Sequence, residues 1–478
     1  VSYPVKVFTN WSGDDFSGPY DELTSYVLEV RWSRGFDKEL GHNTGGICDI
    51  VLLDTDCKFL PDNSSSIYYS KTLLGKEIKV CTDTHNLFYG YINNIIPHPR
   101  KDEKICYISA VDGTDRLARQ KADTFLGIDI QSGVAITAIL DAVGWPAEKR
   151  SIDTGVDSIP FWFGFNEKAL QLIGDLEDIE LSRFWVDGLG YARWEDRHHK
   201  LKSPHDAIQA TVENKMVDLM PNISLLDLIN KTEFTVTPRA EEATESNLFT
   251  LGFVPAIEPG QTYSFDICLD KPTLEAYYLV TFNSDPNGSG TDLTSQCDCD
   301  ITWPEGYGAI RWKVSVTNNA SVIAYLTQFE IWGWAIAEQG NVIAESEDSV
   351  SQSEYGGIYP YSLSCAWEQI LTLAQGKADY LVSKYKDPIT NHTMKLININ
   401  DEIQNIMLSR DISDRIRIIN SRTGTNADFH IRHIDHVLTD KFKKHECTWE
   451  LEPAETEHYW ILDDLVYSVL DSTTKLAF

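Results

Sequence analysis

The chain reads as mainly β with a few helices. It is a multidomain β and α+β arrangement in which two strand-rich units bracket a helix-and-hairpin segment and an inserted β-sandwich. Three observations lead there. Near the start, Tyr26, Leu28, Val30 and Trp32 alternate with Val27, Glu29, Arg31 and Ser33, the two-residue period of a half-buried strand. Similar short runs recur, separated by clusters of Gly, Pro, Asn and Asp. Helical spacing is confined to a few segments, and the 13 Trp, 21 Tyr and 19 Phe suit strands. A length of 478 residues implies roughly three or four domains, and 42% hydrophobic residues give each a core.

Residues 1–120 form the first unit. After the opening strand, Gly45-Gly46-Ile47-Cys48-Asp49-Ile50-Val51-Leu52-Leu53-Asp54 reads as a second strand, and 77–81, 87–92 and 105–111 as further ones. This spacing indicates a small barrel or sandwich. In 121–200 the pattern turns helical. Ile136, Ile139, Leu140 and Val143 mark a helix over 134–143 closed by Gly144. Ala169, Leu172, Ile173 and Leu176 mark another over 167–178 with Asn166 as its cap. A hairpin follows, with 183–186 and 191–194 flanking Asp187-Gly188.

Residues 201–244 with 341–455 form a second, discontinuous unit. It takes Phe234-Thr235-Val236-Thr237 from before the insertion. After the insertion it has a helix over 366–385 stopped by Asp387-Pro388, and strands over 394–399, 415–420, 429–437 and 445–451. Between the parts, 245–340 is the inserted sandwich, with strands over 263–269, 277–282, 310–317 and 323–334; 456–478 is a tail. The strand-rich units at the two ends are candidates for structural relatives of each other.

The net charge of −31 opposes a protein that grips nucleic acid, which needs a basic surface. It suits solubility, or a conduit through which a polyanion passes without sticking. The nine cysteines are odd in number and several lie in apolar strands, the usage of a reduced, cytoplasmically made protein. No run of about 18 apolar residues is present. Val1-Ser2-Tyr3-Pro4-Val5-Lys6 has no basic region leading into an apolar stretch, so no signal peptide is expected.

Chemistry-bearing clusters are few. His430, His433 and His436 share one strand, but alternation puts His433 on the other face and no Cys completes a tetrahedral site. Cys297 and Cys299 lack a second pair at ligand spacing. Asp285 to Asp292 alternates oxygen donors like a calcium loop, yet Gln296 stands where a bidentate Glu is required. Glu177, Asp178 and Glu180 offer a carboxylate pair of the kind glycosidases use, in a chain where 72 acidic residues make such clusters common. No nucleophile elbow, phosphate loop or zincin motif occurs. No enzyme activity, cofactor or metal is expected.

Several stretches resemble a family of tail-tip proteins from long-tailed bacteriophages. They are Asp21-Glu22-Leu23-Thr24-Ser25-Tyr26-Val27, Trp32-Ser33-Arg34-Gly35, Gly45-Gly46-Ile47-Cys48-Asp49-Ile50-Val51-Leu52, Leu73-Leu74-Gly75-Lys76-Glu77-Ile78, Leu87-Phe88-Tyr89-Gly90-Tyr91-Ile92 and Asp112-Gly113-Thr114-Asp115-Arg116-Leu117-Ala118. Ala378-Asp379-Tyr380-Leu381, Asp411-Ile412-Ser413-Asp414-Arg415-Ile416 and the ending Tyr459-Trp460-Ile461-Leu462 with Ser472-Thr473-Thr474-Lys475-Leu476 continue it. The resemblance spans most of the chain and is weakest in 245–340. Cys57-Lys58-Phe59 departs from it where relatives carry a Gly-Arg-Phe type of turn.

The resemblance implies a tail hub, or baseplate hub-like minor tail protein. Such a protein closes the distal end of the tail tube with tube-like β-barrels, two per copy in a ring of three copies. It organises the adsorption apparatus and opens for DNA ejection. Expected partners are a homotrimer, tail tube or distal tail proteins, a tape measure protein, and receptor-binding or tail-fibre proteins. DNA would pass through an acidic lumen without specific binding. The expected location is the virion tail tip after assembly in the host cytoplasm. Glu29 and Arg31, on the polar side of the opening strand, are candidate subunit contacts. The alternative is a host-envelope glycan-binding or glycan-degrading tip, with Trp303, Trp332 and Trp334 as candidate sugar platforms; core packing is the competing reading of these tryptophans.

Overall fold

The alternation in residues 26–33 becomes the strand Val27–Gly35, with Val30 and Trp32 buried and Arg31 exposed. It comes from a computed structural model that describes residues 5–11, 20–36, 38, 40–43, 45–60, 62–69, 71, 73–99, 104–302, 309–454, 458–459 and 474–475. The chain is mainly β.

Val27–Gly35 pairs on one side with Ile47–Leu53 and on the other with Thr425–Thr439. The two strand-rich ends are thereby one continuous sheet. Its path runs from Asp218–Ile223 through Thr390–Ile397, Lys444–Pro453 and Thr425–Thr439 to Val27–Gly35. It continues through Ile47–Leu53, Lys104–Val111, Asn86–Pro99 and Glu77–Cys81 to Lys6–Thr9 and Asp21–Glu22. Arg415–Asn420 and Ala210–Glu213 branch from Thr425–Thr439. Among the described residues the path does not close on itself, so neither unit completes a barrel by strand pairing.

The two ends repeat one arrangement. In each, a strand (Val27–Gly35 or Asp218–Ile223) pairs with a second (Ile47–Leu53 or Thr390–Ile397), and that with a third (Lys104–Val111 or Lys444–Pro453). The third pairs with a long strand (Asn86–Pro99 or Thr425–Thr439), and that with a fifth (Glu77–Cys81 or Arg415–Asn420). The long strands carry matching bulges, between Ile92 and Asn94 and between Ile431 and His433. Even single bonds recur. Ile92 N–H donates to Lys76 O at 2.9 Å, and Ile431 N–H to Asp414 O at 3.1 Å. Gly75 N–H donates to Ile92 O at 2.7 Å, and Ser413 N–H to Ile431 O at 2.8 Å. The repeat differs at its outer strand, where Lys6–Thr9 runs antiparallel to its partner and Ala210–Glu213 parallel. Each half has its own core, around Trp32, Phe59 and Phe88 in one and Met394, Phe429 and Trp449 in the other.

Elsewhere the three longest helices among the described residues are Ser132–Ala142, ending at Gly144 with φ +70°, Ala169–Glu180 and Leu371–Tyr385. Asn166 is not a cap; it sits at φ +55° before Glu167–Lys168, which pairs with Lys121–Ala122. The third helix starts five residues later than its spacing suggests, because Trp367, Glu368 and Gln369 are buried in other contacts. The strand Lys231–Val236 pairs with strands of 341–455 but stays outside the large sheet. It lies between Val342–Glu347 and Pro360–Ser364 in a separate sheet, where Phe234 and Val236 pack on Ala374, Ala378 and Leu381. In the 245–340 block, Ala324–Glu338 is paired by Thr273–Asn283 and shorter strands. Thr262–Cys268, Arg311–Asn318 and Cys297–Thr302 form a second sheet around a shared core. Cys57 has φ +52°, a left-handed backbone at the position where the resembled family carries glycine.

Candidate functional site

The most extensive organised surface lies on one face of the continuous sheet and is centred on the opening strand. Because side chains alternate across a strand, the register fixes which residues share that face. One row runs Asp218, Lys395, Thr448, Asp435, Ser33, Ile47, Val111 and Tyr91. The next runs Ile397, Glu446, Val437, Arg31, Asp49, Ser109 and Asn94. Glu29, Val51, Tyr107 and Ile96 form a third. Both repeats therefore contribute to a single wall.

That wall is acidic. Glu29, Asp49, Asp218, Asp435 and Glu446 stand against Arg31, Lys395 and Lys444. Arg31 is already paired with Glu29, and Lys395 holds Glu446 at 2.7 Å. Hydrogen bonds from Lys395 and Lys444 hold the Glu446 carboxyl below its ordinary range. Burial opposes charge on Asp435, yet His433 at 3.5 Å and the Ser33 hydroxyl together outweigh it and its carboxyl is also lowered. Glu446 and Asp435 are therefore ionised at neutral pH.

The other face carries the seam. Trp32, 2% exposed, stacks on His436 with ring centroids 4.5 Å apart. His436 Nδ1 lies 2.7 Å from His445 Nε2, and its Nε2 3.7 Å from Cys447 Sγ. Burial and then the neighbouring His445 push His436 well down, and burial pushes His445 down to about 3. Gly35 ends the seam at φ +120°, where a Cβ would stand 2.4 Å from Arg432 O. Glycine is required there.

Of the residues singled out in the sequence, Glu29 and Arg31 lie at the centre of the wall. Trp332 and Trp334 face away from the sandwich core. Trp332 lies opposite Tyr277 and donates from Nε1 to Glu330 at 2.8 Å. Trp303 and nearly all of the tail lie outside the described residues.

The histidines do not converge. His430 bonds Ser413 O at 3.0 Å, His433 bonds Ser33 at 2.8 Å, and His436 is in the seam. Asp285 accepts from Asn287 N–H at 2.9 Å and Ser289 at 3.0 Å, closing its own turn. Glu177 takes His42 at 2.9 Å and the Phe184 amide at 2.7 Å, and Asp178 takes His42 at 3.4 Å. Glu180 accepts the Val156 amide at 2.7 Å. All three carboxylates are thus occupied in internal contacts. Among the described residues no group of three or more His, Cys, Asp or Glu is arranged to hold a metal ion, and no helix is long and apolar enough to cross a membrane.

No family model matches this chain, and no curated protein matches it. Solved structures do. The 43 kDa tail protein of prophage MuSo2 from Shewanella oneidensis is similar over 94% of this chain and 98% of its own, at 10% identity and a TM-score of 0.52. The tail protein from Neisseria meningitidis MC58 is similar over 95% and 97%, at 9% identity and a TM-score of 0.51. At such identities the likeness concerns the fold. This chain has the fold of phage-type tail proteins.

Proposed function

We propose that this protein is a structural tail hub that closes the distal end of a phage tail tube and organises the adsorption apparatus there. The observation that carries the reading is the single wall built from two copies of one strand arrangement, joined edge to edge by Val27–Gly35 and Thr425–Thr439. A tube needs a surface that repeats around an axis. This chain supplies two repeats, and three copies supply six. The barrels belong to the assembled ring, in which neighbouring walls complete the curvature that one chain leaves open. In this reading, residues 1–120 and the discontinuous 201–244 with 341–455 are the tube-facing parts. Residues 121–200 brace them, and 245–340 faces outward.

The acidic wall lines the lumen, so that DNA passes by repulsion and without a binding site. Glu29 and Arg31 sit where wall and neighbour meet. The partners are the tail tube, a tape measure protein and receptor-binding or fibre proteins, in a virion tail tip put together in the host cytoplasm. No catalytic step is assigned.

The test is an image reconstruction of the particle with a bulky label on the 245–340 block. Density at the distal tip with the label outward is expected; density along the tail shaft or in the head overturns the reading. A second check uses DNA. Exchanging Asp49, Asp435 and Glu446 for lysine should create salt-dependent duplex retention absent from the native chain. Retention by the native chain at moderate salt would refute the repulsive lumen.

The outward Trp332 and Tyr277 favour a second reading for the inserted block alone, a glycan-binding platform on the host envelope. Binding of the full chain to cell-wall polysaccharide, lost in Trp332→Ala, supports it. Equal binding by both forms removes it.

A further inference from the structure

The repeated arrangement offers two equivalent junctions, and the chain uses one. At the internal seam, residues 433–438 of the second long strand take Val27–Gly35 as neighbour. Among the described residues the matching stretch of the first long strand, 94–99, pairs on one side only, with Lys104–Val111. Asp218–Ile223, the counterpart of Val27–Gly35, likewise pairs on one side only, with Thr390–Ile397, among the described residues. Both halves of a second junction are present in each chain, far apart in the sheet, and neither is paired on its outer side among the described residues.

Burial marks the same two edges. Matching the registers equates Leu219 with Val30, Pro221 with Trp32 and Ile223 with Arg34. Leu219, which turns into its own core, is as buried as its counterpart. Arg34 at the seam is 6% exposed, whereas Ile223 is 65% exposed. On the long strand, Ile95 and Pro97 match Ile434 and His436. The seam pair is 1% and 3% exposed, while Ile95 and Pro97 are only half-buried. Leu226, at 86%, extends the uncovered apolar edge, and a cavity of about 260 Å³ opens beside it. Positions that the seam buries are the ones the free edges leave open.

We infer that a second copy of this chain lays Asp218–Ile223 antiparallel along residues 94–99 of the first, in the register of the internal seam. The partner is a second copy because the seam itself shows these two strand types mating. Arg31 opposite Val437, Ser33 opposite Asp435 and Arg34 opposite Ile434 translate to Met220 opposite His98, Asn222 opposite Ile96 and Ile223 opposite Ile95. The contact is head to tail, so it generates a ring when the rotation closes. Each copy then contributes one internal and one intermolecular junction of the same geometry. Pro97 and Pro221 remove amide donors from these edges. The intermolecular junction therefore has fewer ladder bonds than the seam and leans on apolar side chains, and the free edges resist indiscriminate pairing. This inference rests on the ring-forming hub reading for its setting, though not for its residues.

The experiment is cysteine cross-linking in the full chain. Met220→Cys and His98→Cys are made separately, mixed and oxidised mildly, with the native-sequence chain controlling for its own cysteines. Directly opposed strand positions are within disulfide reach. The expected result is a covalent dimer in the mixture, at least tenfold above either variant alone. The combined variant should give a ladder that ends at a closed ring. An out-of-register pair, Asp218→Cys with His98→Cys, should give at least tenfold less.

Equal yields from the two pairs, or no excess over the single variants, overturn the inference. As a check without cysteines, Ile223→Asp should shift the native oligomer to monomer in light scattering with unchanged circular dichroism; an unshifted oligomer also overturns it. A native chain that stays monomeric at every concentration overturns the junction and leaves the hub reading to the particle image. Cross-linking by a protein found outside the tail would keep the junction and refute the hub.

Discussion

Replacing Trp32 with alanine tests whether the seam joins the two repeats mechanically. The indole is 2% exposed, with the His436 ring stacked on it at 4.5 Å. Emptying such a site costs about 3–5 kcal/mol in lost burial and residual cavity. The indole N–H is buried without a hydrogen-bond partner among the described residues, so its removal returns about 1 kcal/mol of desolvation. The expected net loss is about 2–4 kcal/mol. It should fall on both repeats, because Trp32 lies opposite Cys48 in one and His436 in the other. Chemical denaturation followed by far-ultraviolet circular dichroism measures the loss. Hydrogen exchange locates it, with amides of 30–35 and 433–438 losing protection together. A loss under about 1 kcal/mol, or lost protection in the first repeat alone, would refute the claim that one sheet couples the two.

Three further perturbations probe other parts of the frame. Below pH 6.5 the unfolded chain protonates His445 while the folded one resists until about 3. Stability contributed by this neutral ring is therefore complete above 6.5 and falls by up to about 1.4 kcal/mol per pH unit below it. In His445→Gln the melting temperature should depend less steeply on pH between 4 and 6.5; identical slopes would count against the buried pair. Lys377 is 1% exposed, with Nζ 2.5 Å from Glu368 and 3.5 Å from Asp157. Lys377→Met should cost about 3–5 kcal/mol by stranding a buried carboxylate, and adding Glu368→Gln should recover part of it. A double variant no more stable than the single one would argue against Lys377 as the charge that Glu368 needs. Cys57→Gly should stabilise by about 0.5–1 kcal/mol, because the left-handed backbone at φ +52° strains any side chain; a lower melting temperature would show that the thiol's packing matters more.

Local periodicity made the strands legible and left their partners hidden. The pattern of Val30 and Trp32 shows a half-buried strand, but nothing within the strand points to His436 and Leu438 some four hundred residues away. The fusion of the two units into one sheet could not be read for that reason. The helix Asp401–Ser409 was legible and missed. Asn400 caps it by accepting from the Ile403 amide at 2.8 Å, and Ile403, Ile406 and Met407 follow at helical spacing. Asn166 failed as a cap because a left-handed turn and a two-residue strand precede the helix there. The bulge at Ile431 and His433 likewise disturbs simple alternation in the histidine run. The free edges had one sequence signal, the apolar Val217, Met220, Ile223, Leu225 and Leu226 between polar residues. Only strand pairing distinguishes such a run from a buried strand.

The two junction types differ in chemistry in a way that matches different duties. The internal seam is closed by Trp32 against His436, with Arg34 also pairing Asp411 at 3.1 Å. Large buried groups and an ion pair whose Arg34 end is buried make it hard to open and keep the repeats in fixed relation. At the corresponding edge positions stand Pro221, Ile223, Ile95 and Pro97, small or branched groups with fewer amide donors. An edge of that kind associates through apolar contact and releases without stranding buried charges, since no ion pair spans it. A ring that assembles from separate chains and later yields to passing DNA needs one permanent joint and one reversible joint per copy. Exchanging their chemistry tests this division directly. With Pro221→Trp, the copy-to-copy contact should tighten, read as a ring that resists dilution at least tenfold further. Unchanged dissociation would separate the junction's strength from the residue that sets it at the seam.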